Sequence, residues 1–348
     1  MKELVMPLGF MSMVIGIYSG IVRVGQPLPA GAYLPLGHHG VVMTGSFLGT
    51  LICLERVVAF RDKRAWLSVL VMALSLPLFI FNQPQYGVLA LLAGSLGYGW
   101  ISVYNYRKYK LRGDLLMAVG AAFQVIAYVI FFLTFSYPSA FAGWLLFLVL
   151  TIIGERLNLT RFSPLAKKAF YEVYFWIILL LLSAVFYHQG SKPALGLSMV
   201  GLAQWLLRYD RVWVNLKQEG HDHFQGLALL LAYLWLAVSG LLGMADMAGS
   251  YLYDAVLHSF FVGFVLSMIL AHAPVIFPSL INMQHIPFHP VMYAWLIGLH
   301  GSLFIRIYGD LTEDFALRKL GGIYNGVFFL IYIITVIWLI VKHKRNKP

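Results

Sequence analysis

Apolar residues run through this chain in long stretches broken by short joints rich in Gly, Pro, Lys or Arg. The stretches predict helices over 4–22, 39–60, 65–82, 86–105, 114–135, 138–156, 170–188, 193–210, 225–249, 252–280, 290–308 and 323–342. Most are close to the ~20 residues that a bilayer core requires. The pattern predicts an all-α integral membrane protein with about twelve transmembrane helices in one bundle, a single polytopic domain over 1–348. The opening MKELVMPLGF reads as the start of the first span and not as a cleaved leader.

Composition agrees. Hydrophobic residues make up 60% of the chain and charged residues 11%, with a mean hydropathy of +0.79. Soluble domains carry about a quarter charged residues, so lipid is the expected solvent for much of this surface. The net charge of +11 belongs to the joints between spans, and nucleic acid is not an expected partner. Lys and Arg follow the even-numbered spans: Arg61, Lys63 and Arg64; Arg107, Lys108, Lys110 and Arg112; Arg161, Lys167 and Lys168; Arg211 and Lys217; Lys342, Lys344, Arg345 and Lys347. That alternation predicts both termini on the cytoplasmic side. The joint after span eleven is an exception, with Arg318 and Lys319 beside Glu313 and Asp314.

Span two ends Glu55-Arg56-x4-Arg61 and span six ends Glu155-Arg156-x4-Arg161. The echo fits either a four-helix repeat used three times or a pair of membrane-edge charge clusters. Cys53 stands alone, so neither an internal disulfide nor a cysteine-based metal knuckle is expected. No Gly-rich phosphate loop, nucleophile elbow or HExxH motif occurs.

Histidine carries the candidate chemistry. His38 and His39 open span two, His258 and His272 lie in span ten, His289 opens span eleven and His300 lies within it; His188 ends span seven, and His221 and His223 fall in a joint. His258 and His272 are separated by ~21 Å of helix and nearly four turns, so they share a face but no single ion. Neutral imidazole is the usual axial ligand of haem iron and a common ligand of copper. The alternation of spans puts His39 and His258 at similar outer depth, as a bis-imidazole haem requires, with His38 and His300 as alternatives. Hydrogen bonding between helices is the plainer role for each of them. Pro274 and Pro278 interrupt span ten after His272, and His285 and His289 follow, which marks either a packing kink or a polar cavity. Gly40, Gly45 and Gly49 in span two allow close helix packing or room for a flat ring.

Two stretches, HHGVVMTGSFLGTLICLERVVAF at 38–60 and DAVLHSFFVGFVLSMILAHAPVIFP at 254–278 continuing to LHGSLFIRIYGD at 299–310, resemble the NnrS-like group of bacterial polytopic membrane proteins. The pattern is also similar to subunit I of haem–copper oxidases and nitric oxide reductases, with His at the head of span two and LHxFxxGF in span ten. The resemblance implies a protein of the bacterial cytoplasmic (inner) membrane that binds haem of b type and copper. It further implies a part in nitric oxide tolerance or respiratory electron transfer, a respiratory electron donor as partner and a diatomic gas as ligand. The implied haem ligands are His39 and His258, with His300 and His272 as further metal ligands and Arg306 as a propionate partner. The oxidase pattern places a second histidine close to the first in helix ten, whereas here the next is His272. It also requires copper histidines on spans six and seven, where only His188 is present. A conventional dinuclear oxygen-reducing site is therefore not expected. A secondary transporter with a His-lined path and an accessory subunit of a respiratory complex are the alternative expectations.

Overall fold

The computed structural model describes residues 2–26, 36–60, 62–160, 165–245, 251–281, 283 and 287–345. Among them all regular structure is helical, and no strand occurs. The chain divides into two compact units, 1–164 and 165–348.

In the first unit the long helices are α1 (Lys2–Arg23), α2 (His39–Ala59), α3 (Ala65–Ile80), α4 (Pro84–Tyr109), α5 (Arg112–Thr134) and α6 (Tyr137–Leu159). In the second they are α7 (Lys167–Val185), α8 (Lys192–Tyr209), α9 (Gly220–Met244), α10 (Leu252–Pro278), α11 (Val291–Leu311) and α12 (Phe315–Arg345). Among the described residues ten of these are long and apolar enough to cross a membrane; α3, broken at Leu74, and α8 are the two outside that group. Apolar residues also stay outside: Leu133, Ile178, Leu182, Ile297, Phe304 and Ile334 are each more than half exposed. Such a surface is stable only against lipid, and the chain is a multi-pass membrane protein.

The first unit is cored by Val41, Val42, Leu76, Phe79, Leu91, Tyr128, Phe131 and Trp144, drawn from α2 through α6. In the second, Ala255, Leu303 and Ile307 pack with Trp235 and Val262. Paired glycines bring backbones together in each: a Cβ on Gly154 of α6 would lie 2.7 Å from the Gly113 carbonyl of α5, and one on Gly240 of α9 would lie 2.5 Å from the Gly196 carbonyl of α8.

Two boundaries differ from the sequence reading. The last helix starts at Phe315, not 323, because Arg318 is a helical residue paired with Asp254 and the buried Asp310. His221 and His223 lie in the first turn of α9 and not in a joint, and His223 Nδ1 sits 2.7 Å from the Tyr293 hydroxyl on α11. His285, Arg61, Arg161 and Lys347 lie outside the described residues.

Both proline positions of α10 remain within continuous helix. A proline lacks the N–H that would serve the carbonyl four residues earlier. For Pro274 that carbonyl belongs to Leu270, and the buried Tyr332 hydroxyl of α12 donates to it at 2.6 Å. The amide of Gln225 donates to the next carbonyl, Ala271, at 3.3 Å.

Candidate functional site

Among the described residues each unit contains one helix in which a candidate histidine is followed by a π-helical register. In α2 the register covers Val42–Gly49, beginning three residues after His39; in α10 it covers Ser259–Leu266, beginning at the residue after His258. The Thr50 N–H donates to the Gly45 carbonyl, five residues back. π-helical turns inside α-helices are rare and are frequently found at functional sites.

The His39 ring lies on α1. Its Nδ1 is 2.7 Å from the Gly16 carbonyl, and a Cβ on Gly20 would be 2.7 Å from its Cε1. A carbonyl only accepts, so in the neutral ring the proton is on Nδ1 and the lone pair is on Nε2. His258 has the same tautomer: its Nδ1–H donates to the main-chain carbonyl of Asp254 at 2.9 Å, with the Asp254 carboxylate 3.4 Å away. His272 repeats the pattern toward the Met268 carbonyl at 2.6 Å. Metal-bound histidines are oriented in this way, with one ring N–H fixed on a carbonyl or carboxylate and the other nitrogen presented to the metal.

His300 is arranged oppositely. The Trp235 indole N–H donates to its Nδ1 at 2.8 Å, which places the ring proton on Nε2, 3.4 Å from the Ser267 hydroxyl. Trp235 is itself held against Gly263 in the π segment. Both His300 nitrogens thus face polar groups inside the protein. His38, the alternative to His39, packs beside Phe79 with ring centroids 5.5 Å apart. Burial, reinforced by the nearby Arg23 guanidinium, holds its imidazole below the ordinary histidine range.

Arg306 meets an acid in the same unit. Its guanidinium donates to Asp254 Oδ2 at 2.9 Å, and Arg318 donates to the same oxygen at 3.1 Å. Arg318 also sits 2.9 Å from Asp310, whose side chain is fully buried, and stacks on the Tyr251 ring at 4.2 Å. Arg306 thus pairs with Asp254 through one guanidinium nitrogen. The cluster also accounts for Arg318 as the exception to the charge pattern of the joints. The sequence reading missed Asp254, Asp310 and Trp235. An Asp four residues before a helical His was the available signal for the first, since such pairs share a helix face.

Among the described residues no three His, Cys, Asp or Glu side chains gather as a metal cage. A haem asks less of the protein: the porphyrin supplies four equatorial ligands, and one or two imidazoles complete the iron. In the first unit the anchored tautomer of His39 leaves Nε2 as its lone-pair nitrogen, and in the second that of His258 does the same. No curated protein matches the sequence. A family model does match residues 3–341, nearly the whole chain, and the protein belongs to the family described as Domain of unknown function (DUF8744).

Proposed function

We propose that this protein is a membrane haem protein in which His39 of the first unit and His258 of the second each serve as an imidazole donor to haem iron through Nε2. The observation that supports this reading is the shared preparation of the two rings: Nδ1–H anchored on a main-chain carbonyl, at the head of a π-helical segment. The NnrS-like resemblance points the same way. A haem, of b type in this reading, supplies one-electron redox chemistry and a site for a diatomic ligand. The protein's part is to fix the rings. Gly16 sets the tautomer of His39, Gly20 leaves space for its ring, and Asp254 adds a carboxylate beside the N–H of His258, which raises the basicity of the opposite nitrogen. Electron transfer or nitric oxide handling with a respiratory partner is the corresponding physiological role.

In the same reading the chain crosses a bacterial inner membrane twelve times, with both termini cytoplasmic. Helices α3 and α8 then serve as short crossings: at 1.5 Å per residue they reach roughly 24–27 Å, a few ångströms less than a ~30 Å core, and local thinning covers the difference.

The test is the optical spectrum of protein purified from haem-supplemented cells, followed by His39→Ala, His258→Ala, His300→Ala and His272→Ala, each checked for folding. A Soret band with reduced α bands is expected, lost in the first two variants and kept in the last two. A wild-type protein without a Soret band, or full haem retention in His258→Ala, overturns the proposal.

A further inference from the structure

The exposed side chains Leu89, Leu96, Trp100, Tyr104 and Lys108 of α4 follow one another at intervals of seven or four residues, so they share one helix face. That face is apolar and aromatic as far as Tyr104 and then turns cationic, with Arg107, Lys108, Lys110 and Arg112 exposed at its end. No Asp or Glu occurs between Pro84 and Gly113. Asp114, the next acid along the chain, is buried and accepts from the Asn158 amide at 2.8 Å. The basic end of α7 and α8 is different, because Glu172 lies 3.8 Å from both Lys168 and Arg208 there. Aromatic rings order the cationic end of α4. Phe60, just past α2, packs edge-on against Trp100 and Tyr104, with ring centroids 5.5 and 5.0 Å apart. The Lys108 ammonium sits 5.7 Å from the Tyr104 ring centre and 5.2 Å from that of Tyr109, and the Lys110 ammonium 5.4 Å from that of Tyr106.

We propose that this face binds one anionic phospholipid, with an acyl chain along Leu96 and Trp100 and the headgroup phosphate against Arg107 and Lys108. From Leu96 to Arg107 the helix rises roughly 16 Å, about the depth of one leaflet of a ~30 Å core. An amphiphile lying on it therefore meets apolar surface along its chain and positive charge at its head. Trp100 and Tyr104 stand between the two, at the level where amphipathic rings anchor a helix to the headgroup region. Charge selects the lipid. A zwitterionic headgroup brings its own cation and gains little here, whereas an anionic one is attracted by each Lys or Arg near the surface. A lysine held over a ring by cation–π attraction has less freedom to lose on binding, and its N–H donors remain turned away from the ring for phosphate. With Asp114 occupied by Asn158, no carboxylate of α4 or of the start of α5 competes with the phosphate for these cations.

The experiment is native mass spectrometry of the full-length protein, purified in detergent, delipidated and titrated with phosphatidylglycerol or phosphatidylcholine. One phosphatidylglycerol molecule should be retained at concentrations where phosphatidylcholine is not. Arg107→Gln and Lys108→Gln should each weaken its binding about five-fold. Tyr104→Leu keeps every charge and should weaken it about two- to five-fold, since it removes a ring from beneath Lys108. The control is Lys63→Gln with Arg64→Gln, which takes two cations from the neighbouring joint and should leave the first lipid bound as in the wild type. All these side chains are exposed, so the variants should fold, and their thermal midpoints check it. Equal affinity for the two lipids, or unchanged binding in both Arg107→Gln and Lys108→Gln, overturns the site. An equal loss in the control protein also overturns it, because net charge alone would then be drawing the lipid.

Discussion

Arg56 on α2 donates to Glu155 on α6, so the first Glu-Arg pair of the sequence is bound to the second. The echo visible in the sequence is therefore a contact in space. Glu55 stands in the field of Glu155, Arg56 and Arg156, so the four residues form one polar quartet.

Breaking this quartet is expected to reduce folded protein. The two paired side chains keep 22% and 25% exposure, so water screens them in part. Glu155→Gln is expected to cost about 1–3 kcal/mol, below the 3–5 kcal/mol of fully buried pairs. Glu55→Gln should act in the same direction. The check is the thermal midpoint and the monodisperse yield in detergent. A normal yield with an altered haem spectrum in Glu55→Gln would instead place that residue beside the cofactor.

Gly20→Ala tests the seat of the His39 ring. The added methyl would stand 2.7 Å from Cε1 of His39, closer than atoms approach without displacement. The ring must move off Gly16, and its tautomer loses its anchor. Lower haem occupancy with near-normal folding is expected. Gly9→Ala is the control, because its Cβ would meet only the Thr50 methyl group at 3.8 Å. Equal haem content in both variants would remove His39 from the ligand set.

Sidedness follows from the basic joints. Reporter fusions after residues 110 and 345 should read cytoplasmic, and a fusion after residue 84 should read external. An external C-terminus would reverse the depth order of the histidines.

His38 gives the stability a pH dependence. Its folded pKa lies below its unfolded value because burial, then Arg23, disfavours the charged ring. Below about pH 6.5 the unfolded chain therefore binds a proton that the folded chain resists, and stability falls as pH falls. His38→Gln should flatten that part of the midpoint-versus-pH curve. An unchanged slope in the variant would show that His38 contributes none of it.

The helices were legible in the sequence because lipid selects apolar runs of bilayer length, whatever their partners. The limits of that signal appear at α12: Arg318 and Lys319 read as a joint, yet Arg318 is helical because Asp254 and Asp310 neutralise it. The π segments left no trace in composition, since a shift from four-residue to five-residue hydrogen bonding needs no special residue type. The roles of the histidines were legible only as a set. What separates His258 from His300 is the atom facing Nδ1, a carbonyl for one and an indole N–H for the other, and both come from tertiary packing.

Pro274 and Tyr332 are the last pair to test, because the sequence predicted the defect and the structure shows its remedy. Pro274 cannot serve the Leu270 carbonyl, and the Tyr332 hydroxyl takes the place of the missing N–H at 2.6 Å. Tyr332→Phe leaves that carbonyl buried without a donor, at an expected cost of about 1–3 kcal/mol. In a Pro274→Ala background the new backbone N–H can close the bond to Leu270 itself. Tyr332→Phe should then cost much less, so the double-mutant cycle should show a coupling of about 1 kcal/mol or more. Thermal or denaturant unfolding of the four proteins in one detergent measures it. Additive effects would mean that Tyr332 stabilises α12 by packing alone, and the continuity of α10 through its prolines would need another source.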